Sequence, residues 1–203
     1  EPWWSDGTVA GTRMLKDIAD GWENSNPGLA VSLGNHVLFL ATDTGPSLWR
    51  TDGTTSGTVR VAGPYRVAEQ VPPVVLGGAA YYLAGSWWGS QPTSLWRTDG
   101  TAAGTVELAA GLGLCGGLRR VGSRLFFRNQ HSEVWTSDGT AAGTVMLGNF
   151  YGAAQRNPIG PIADLNGLAV FAGDVPYGSE RPLWLSDGTV NGTVRLLAPG
   201  TLA

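Results

Sequence analysis

Short apolar runs recur along this chain in pairs, and each pair is split by two residues suited to a tight turn. The splits are Gly34-Asn35, Gly77-Gly78, Gly122-Ser123 and Asn166-Gly167. Such residues tolerate the positive φ that two-residue hairpin turns require. The second run of each pair ends in an aromatic at the same offset: Phe39, Tyr82, Phe127 and Phe171. Further along, Thr105-Val106-Glu107-Leu108 alternates with the period of two expected of a half-buried strand. Each unit therefore reads as a four-stranded meander. In residues 30–62, strand A is Ala30-Val31-Ser32-Leu33, strand B runs from His36 to Ala41, strand C from Ser47 to Thr51, and strand D from Gly57 to Val61.

A longer repeat overlies the meanders. The tract Trp-x-Ser/Thr-Asp-Gly-Thr-x-x-Gly-Thr starts at Trp3, Trp49, Trp96, Trp135 and Trp184, at spacings of 46, 47, 39 and 49 residues. A period in the forties with strand-like filler marks a propeller or solenoid, in which one supersecondary unit stacks on the next. Four complete units at about 30–62, 73–110, 118–147 and 160–197 follow a leading half at 1–18 that has only strands C and D. The expected fold is all-β: one β-propeller domain over 1–203, built of four-stranded antiparallel blades. Five blades with the N-terminal one incomplete is the favoured count, and four blades plus an extra hairpin is the alternative. The incomplete first blade leaves a strand edge open, so self-association through it is expected.

Composition narrows the function. With 31 Gly, 14% charged residues and a net charge of −3, the chain does not suit a helical bundle. Thirteen Lys and Arg are scattered, and Arg119-Arg120 is the one adjacent pair, so nucleic acid is not an expected partner. No apolar run approaches the ~20 residues of a membrane helix, so no membrane insertion is expected. The single Cys115 rules out an internal disulfide and reads as a small core residue. A start at Glu1 rather than Met reads as a removed leader or an excised part of a longer protein. Low charge with abundant Gly, Thr and Trp leans towards an extracellular or cell-surface protein.

The motif reads as structural. Asp6, Asp52, Asp99, Asp138 and Asp187 sit at the C–D turn, where a short carboxylate accepts backbone N–H bonds from the residues that follow. Thr8, Thr54, Thr101, Thr140 and Thr189 can close the same turn. Trp3, Trp49, Trp96, Trp135 and Trp184 begin strand C and are expected to cement the sheets. Burying such a ring is worth about 4–6 kcal/mol gross. Five acids in one local context are five copies of a turn rather than a metal site or a tuned acid pair. No Ser-His-Asp grouping, metal-ligand cluster or paired acid emerges, so no catalytic residue, metal or cofactor is expected, and the chain is expected not to be an enzyme.

The opening residues Glu1-Pro2-Trp3-Trp4-Ser5-Asp6-Gly7-Thr8-Val9-Ala10-Gly11-Thr12, with Leu15-Lys16-Asp17-Ile18 after them, resemble the bacterial ELWxxDGT-repeat proteins, also labelled hyalin-like. The resemblance covers nearly the whole chain in five copies. It implies a β-propeller-like module of a secreted or surface-attached protein, and no common activity. The leading Glu survives only at Glu1 and Glu133, with Ser47, Ser94 and Pro182 elsewhere.

Antiparallel meanders place the A–B and C–D turns on one end of the sheets and the B–C and D–A loops on the other. The first end is monotonous, and the second holds the variable residues. Its loops carry Trp22, Asn24 and Asn26, then Tyr65 and Arg66, Ser86 to Pro92 with Trp87, Trp88 and Gln91, Asn129-Gln130-His131, Tyr151, and Asp174 to Glu180 with Tyr177. Aromatics beside Asn, Gln and Arg on a rigid scaffold have the composition of a lectin-like or peptide-binding site. The candidate ligand-binding residues are therefore Trp22, Tyr65, Trp87, Trp88, Gln91, His131, Tyr151 and Tyr177, with a glycan or protein as the ligand. Trp87 and Trp88 could instead pack as a lid, Tyr65 and Tyr151 between blades, and His131 as a solvated loop residue. The alternative function is a structural spacer of a larger surface protein, with no ligand of its own.

Overall fold

Each split pair turns the chain back on itself in the computed structural model, which describes residues 1–21, 23–63, 71–85, 93–113, 115–150, 159–174 and 181–196, with 65–67 and 86 by backbone alone. Gly77 and Gly78 (φ 57° and 77°), and Asn166 and Gly167 (54° and 86°), carry positive φ at both turn positions. Gly34 (58°) and Gly122 (56°) carry it at the first position of their turns. These are the mirror-image turns whose twist matches that of antiparallel strands.

The strands so joined form five antiparallel sheets. The first pairs β1 (Trp3–Trp4) with β2 (Arg13–Met14). The second is a meander of β3 (Gly28–Leu33), β4 (His36–Thr42), β5 (Pro46–Thr51) and β6 (Val59–Ala62). The third contains β7 (Tyr65–Val67), β8 (Val74–Leu76), β9 (Ala79–Ser86), β10 (Ser94–Thr98) and β11 (Val106–Ala109). Here β7 and β8 both pair with β9, at its far and near ends respectively, so the innermost strand of this blade comes in two pieces. The fourth runs β12 (Cys115–Val121), β13 (Arg124–Asn129), β14 (Glu133–Ser137) and β15 (Val145–Asn149). The fifth runs β16 (Ala163–Leu165), β17 (Leu168–Ala172), β18 (Leu183–Ser186) and β19 (Thr193–Arg195). The chain is an all-β propeller of five blades, the first of them incomplete.

Some boundaries differ from the sequence reading. Strand D of the second blade starts at Val59 rather than Gly57, because Gly57 and Thr58 are held in the preceding turn. Thr105 is likewise outside β11. Tyr65 and Arg66, expected in a D–A loop, are in β7, opposite Ser86 and Gly85. Ser86 and Asn129, expected in B–C loops, are the last residues of β9 and β13.

The core lies between blades. In each complete blade the strand-B aromatic stands directly across from the motif tryptophan: Phe39 from Trp49, Tyr82 from Trp96, Phe127 from Trp135 and Phe171 from Trp184. Tyr82 stacks on Trp96 at 6.4 Å and Phe127 on Trp135 at 6.3 Å, while Phe150 inserts edge-on against both Phe171 and Trp184. Aromatic pairs of this kind add to the burial of their area. The clusters bridge neighbours: Leu33, Leu38, Leu48 and Val61 of the second blade pack on Ala80 and Tyr82 of the third. Trp3 is the exception. Expected to cement the sheets, it is 64% exposed, because the first blade has no strand B to set an aromatic against it. Its neighbour Trp4 packs on the next blade instead, under the Arg13 guanidinium at 4.7 Å and beside Gly53.

Candidate functional site

The five motif acids are engaged in their own turns. In the third blade the Asp99 Oδ1 accepts the Thr101 N–H at 2.9 Å and the Thr101 hydroxyl at 2.7 Å. The Thr101 Oγ1 accepts the Gly104 N–H at 2.9 Å, and its carbonyl accepts the Thr105 hydroxyl at 2.6 Å. Thr98 closes the other side by accepting the Gly100 N–H at 3.0 Å. The same bonds recur around Asp6, Asp52, Asp138 and Asp187. The threonine hydroxyl and amide favour the ionised form and hold all five carboxyls below the usual aspartate value. Among the described residues no three His, Cys, Asp or Glu side chains are grouped as metal ligands. Burial pushes the Cys115 thiol up to about 12, so it is not a nucleophile near neutrality.

Of the eight candidate binding residues, Trp22, Trp87, Trp88, Gln91, Tyr151 and Tyr177 lie outside the described residues, and Tyr65 is placed by its backbone alone. His131 is described. The buried Asn129 side chain folds a tight turn beneath it, its Oδ1 accepting the His131 N–H at 3.0 Å and the Glu133 N–H at 3.1 Å. Its Nδ2 donates to the Leu112 carbonyl at 2.8 Å and to Glu133 Oε2 at 2.6 Å, and that carboxylate also accepts the Trp135 indole N–H. Ser132 follows at φ 59°, a conformation rare outside Gly and Asn. The imidazole is thus exposed on a stiff turn, 3.2 Å from the Gln130 side chain.

At the same variable end, the second blade carries a cavity of about 360 Å³ lined by Asn26, Gly28, Leu29, Leu40, Ala41, Thr42 and Pro46. Its shape comes from a bulge: between Gly28↔Leu40 and Val31↔Leu38 the ladder of β3 and β4 shifts register. Leu29 sits in that bulge at φ 49°, and Asn26 stands beside it at 43°. A leucine there is strained by roughly 1–3 kcal/mol and is held by its surroundings; the Thr42 N–H to Ser25 carbonyl bond of 2.7 Å is one such restraint. Bulges of this kind re-aim side chains beside binding sites. Asn26 was legible as a loop residue, but the cavity was not, because nothing in Gly-Leu-Ala-Val signals a bulge.

No family model matches the sequence, and comparison with curated proteins gives no match. Solved structures do match. Oligopeptidase B from Leishmania major superposes with a TM-score of 0.50 at 12% identity, over 95% of this chain and 29% of that one. An α-L-arabinofuranosidase from Clostridium thermocellum matches at TM-score 0.38 and 14% identity, over 84% of this chain and 72% of that one. An endo-arabinase from Bacteroides thetaiotaomicron matches at TM-score 0.36 and 11% identity, over 91% and 83%. The chain thus spans less than a third of the oligopeptidase. These neighbours overturn the expectation that the chain is not an enzyme. The oligopeptidase likeness is one of fold alone, and a fold does not decide whether a chain catalyses a reaction. At such identities the likeness carries no residue's role across; the chain's own five sheets give the architecture, an all-β propeller of five blades with the first incomplete.

Proposed function

We propose that this chain is an extracellular or cell-surface recognition module that binds a glycan or a peptide segment at its variable end. The cavity of the second blade carries the reading. Its volume of about 360 Å³ is in the range of small-ligand pockets, and its walls combine apolar Leu29, Leu40 and Pro46 with polar Asn26 and Thr42. Strain in its wall at Leu29 and Asn26 is the kind of local conflict that persists where it serves a site. The motif's likeness to ELWxxDGT repeats supports the secreted setting.

A glycan and peptide array read with the wild-type chain, Thr42→Arg and Trp87→Ala/Trp88→Ala tests this. Thr42→Arg fills the cavity and is expected to weaken binding at least about tenfold, which is 1.4 kcal/mol, with an unchanged unfolding midpoint. Binding untouched by both variants removes the proposal. A blank array leaves the spacer role in its place.

A further inference from the structure

The bulge that shapes the second blade's cavity recurs at the same place in the fourth. In the second blade Gly28 stands across from Leu40, and the ladder shifts before Val31↔Leu38. In the fourth, Gly116 stands across from Arg128, and the ladder shifts before Arg119↔Phe126. Gly117 holds a positive φ of 68° where Leu29 holds one of 49°. What differs is the residue after the strand-B aromatic. It is Leu40, Leu83 or Ala172 in the other complete blades and Arg128 in this one.

Among the described residues that arginine has no partner. Its Nε is buried and meets no acceptor, and it makes no ion pair. A buried donor left unpaired is destabilising, and more so on a charged group. The acids around it are engaged elsewhere. Glu133 Oε2 accepts from Asn129 and Trp135, and the Asp164 carboxylate accepts the Gly167 and Gly122 N–H groups. Residues 115–129 hold four arginines and no acid, in a chain whose net charge is −3. Arg119 and Arg120 donate to the Ile162 and Gly122 carbonyls, and Arg124 lies at the other end of β13 against Gly188. Beside Arg128 the chain presents glycine: nothing lies within 4 Å of a Cβ built on Gly116, and one built on Gly117 would stand 3.4 Å from Arg128 Nε.

We propose that Arg128 and the glycine bulge beside it form a binding site for a carboxylate, whose planar pair of oxygens matches a guanidinium fork. One uncommitted guanidinium balances one negative charge, which suits a monoanionic carboxylate over a phosphate dianion. The bare backbone at Gly116 and Gly117 leaves room for the ligand to come close to the fork. The site lies in a different blade from the cavity at Leu29 and stands independently of glycan or peptide binding there.

The test is an NMR titration of backbone amides and arginine side chains with sodium glucuronate, acetate, glucose and inorganic phosphate at constant ionic strength. Glucuronate is expected to shift the Gly116 and Gly117 amides and the Arg128 Nε–H saturably, and glucose to leave them in place. Arg128→Met puts an apolar side chain where other blades carry Leu40 and Leu83. It is expected to weaken glucuronate binding at least about tenfold, while the unfolding midpoint holds or rises because an unpaired buried donor is gone. Acetate binding as tightly as glucuronate makes the carboxylate alone the ligand, and weaker acetate binding makes a sugar acid the ligand; either supports the site. Glucuronate binding that is equal in wild-type and Arg128→Met chains overturns the proposal, as does the lack of saturable shifts in the wild type. Phosphate binding more tightly than glucuronate also overturns it, and so does a lowered midpoint in Arg128→Met, which would make the guanidinium a structural group.

Discussion

Each position of the motif answers to an atom. The second glycine of the tract, Gly104 in the third blade, lies against the Asp99 carboxylate so closely that an added Cβ would overlap it, and Gly11, Gly57, Gly143 and Gly192 stand in the same relation to their acids. The first glycine combines positive φ (90° at Gly100) with contact to the blade before it. Gly104→Ala is therefore expected to cost roughly 1–3 kcal/mol in a urea melt. Because Asp99→Ala removes the obstructing carboxylate, the double variant should be less destabilised than the sum of the singles, and strict additivity would count against the contact. The same turns set an acid limit. Their carboxyls titrate below the ordinary unfolded value of about 3.9, so their stabilisation is complete above about pH 4 and is lost as pH falls through the lower folded value. Thermal midpoints are expected to drop below about pH 4, and a midpoint flat from pH 5 to about pH 2 is incompatible with this account.

At the scale of the strand, the controlling unit is the cross-strand aromatic pair. Phe127 is fully buried opposite Trp135, inside the cluster that joins the third and fourth blades. Phe127→Ala is expected to lower stability by about 3–5 kcal/mol, as for large core truncations. Trp3→Ala, at the same register position as Trp135 but without its partner strand, should stay within about 0.5 kcal/mol of wild type. Equal costs in chemical denaturation would refute the pairing. Strands C and D also bulge at one place in three blades: β5, β10 and β14 each shift register against strand D at the motif tryptophan.

The whole molecule is a stack in which each blade is the floor of the next. Arg119 donates to the Ile162 carbonyl at 3.0 Å, and Lys16 to the Thr58 carbonyl at 3.1 Å, across blade boundaries. Stability of such arrays sums over repeats and their junctions. The strained bulge at Leu29 lies at the variable end of the second blade.

The sequence by itself determined the blade. Its turn pairs, its aromatic offset and its motif acids act over fewer than a dozen residues, and local chemistry of that range is written directly in residue order. The two-stranded first blade was legible for the same reason, since the tract at Trp3 carries only strands C and D. The splitting of the third blade's inner strand into β7 and β8 was not, because both pieces depend on one long partner, β9. Nor were the cavity and the uncovered leucines. Leu183 and Leu48 both stand just before a motif tryptophan, yet one is exposed and the other buried. What separates them is a sheet packed against one and absent from the other, and only the tertiary structure decides which face of a repeat meets the next.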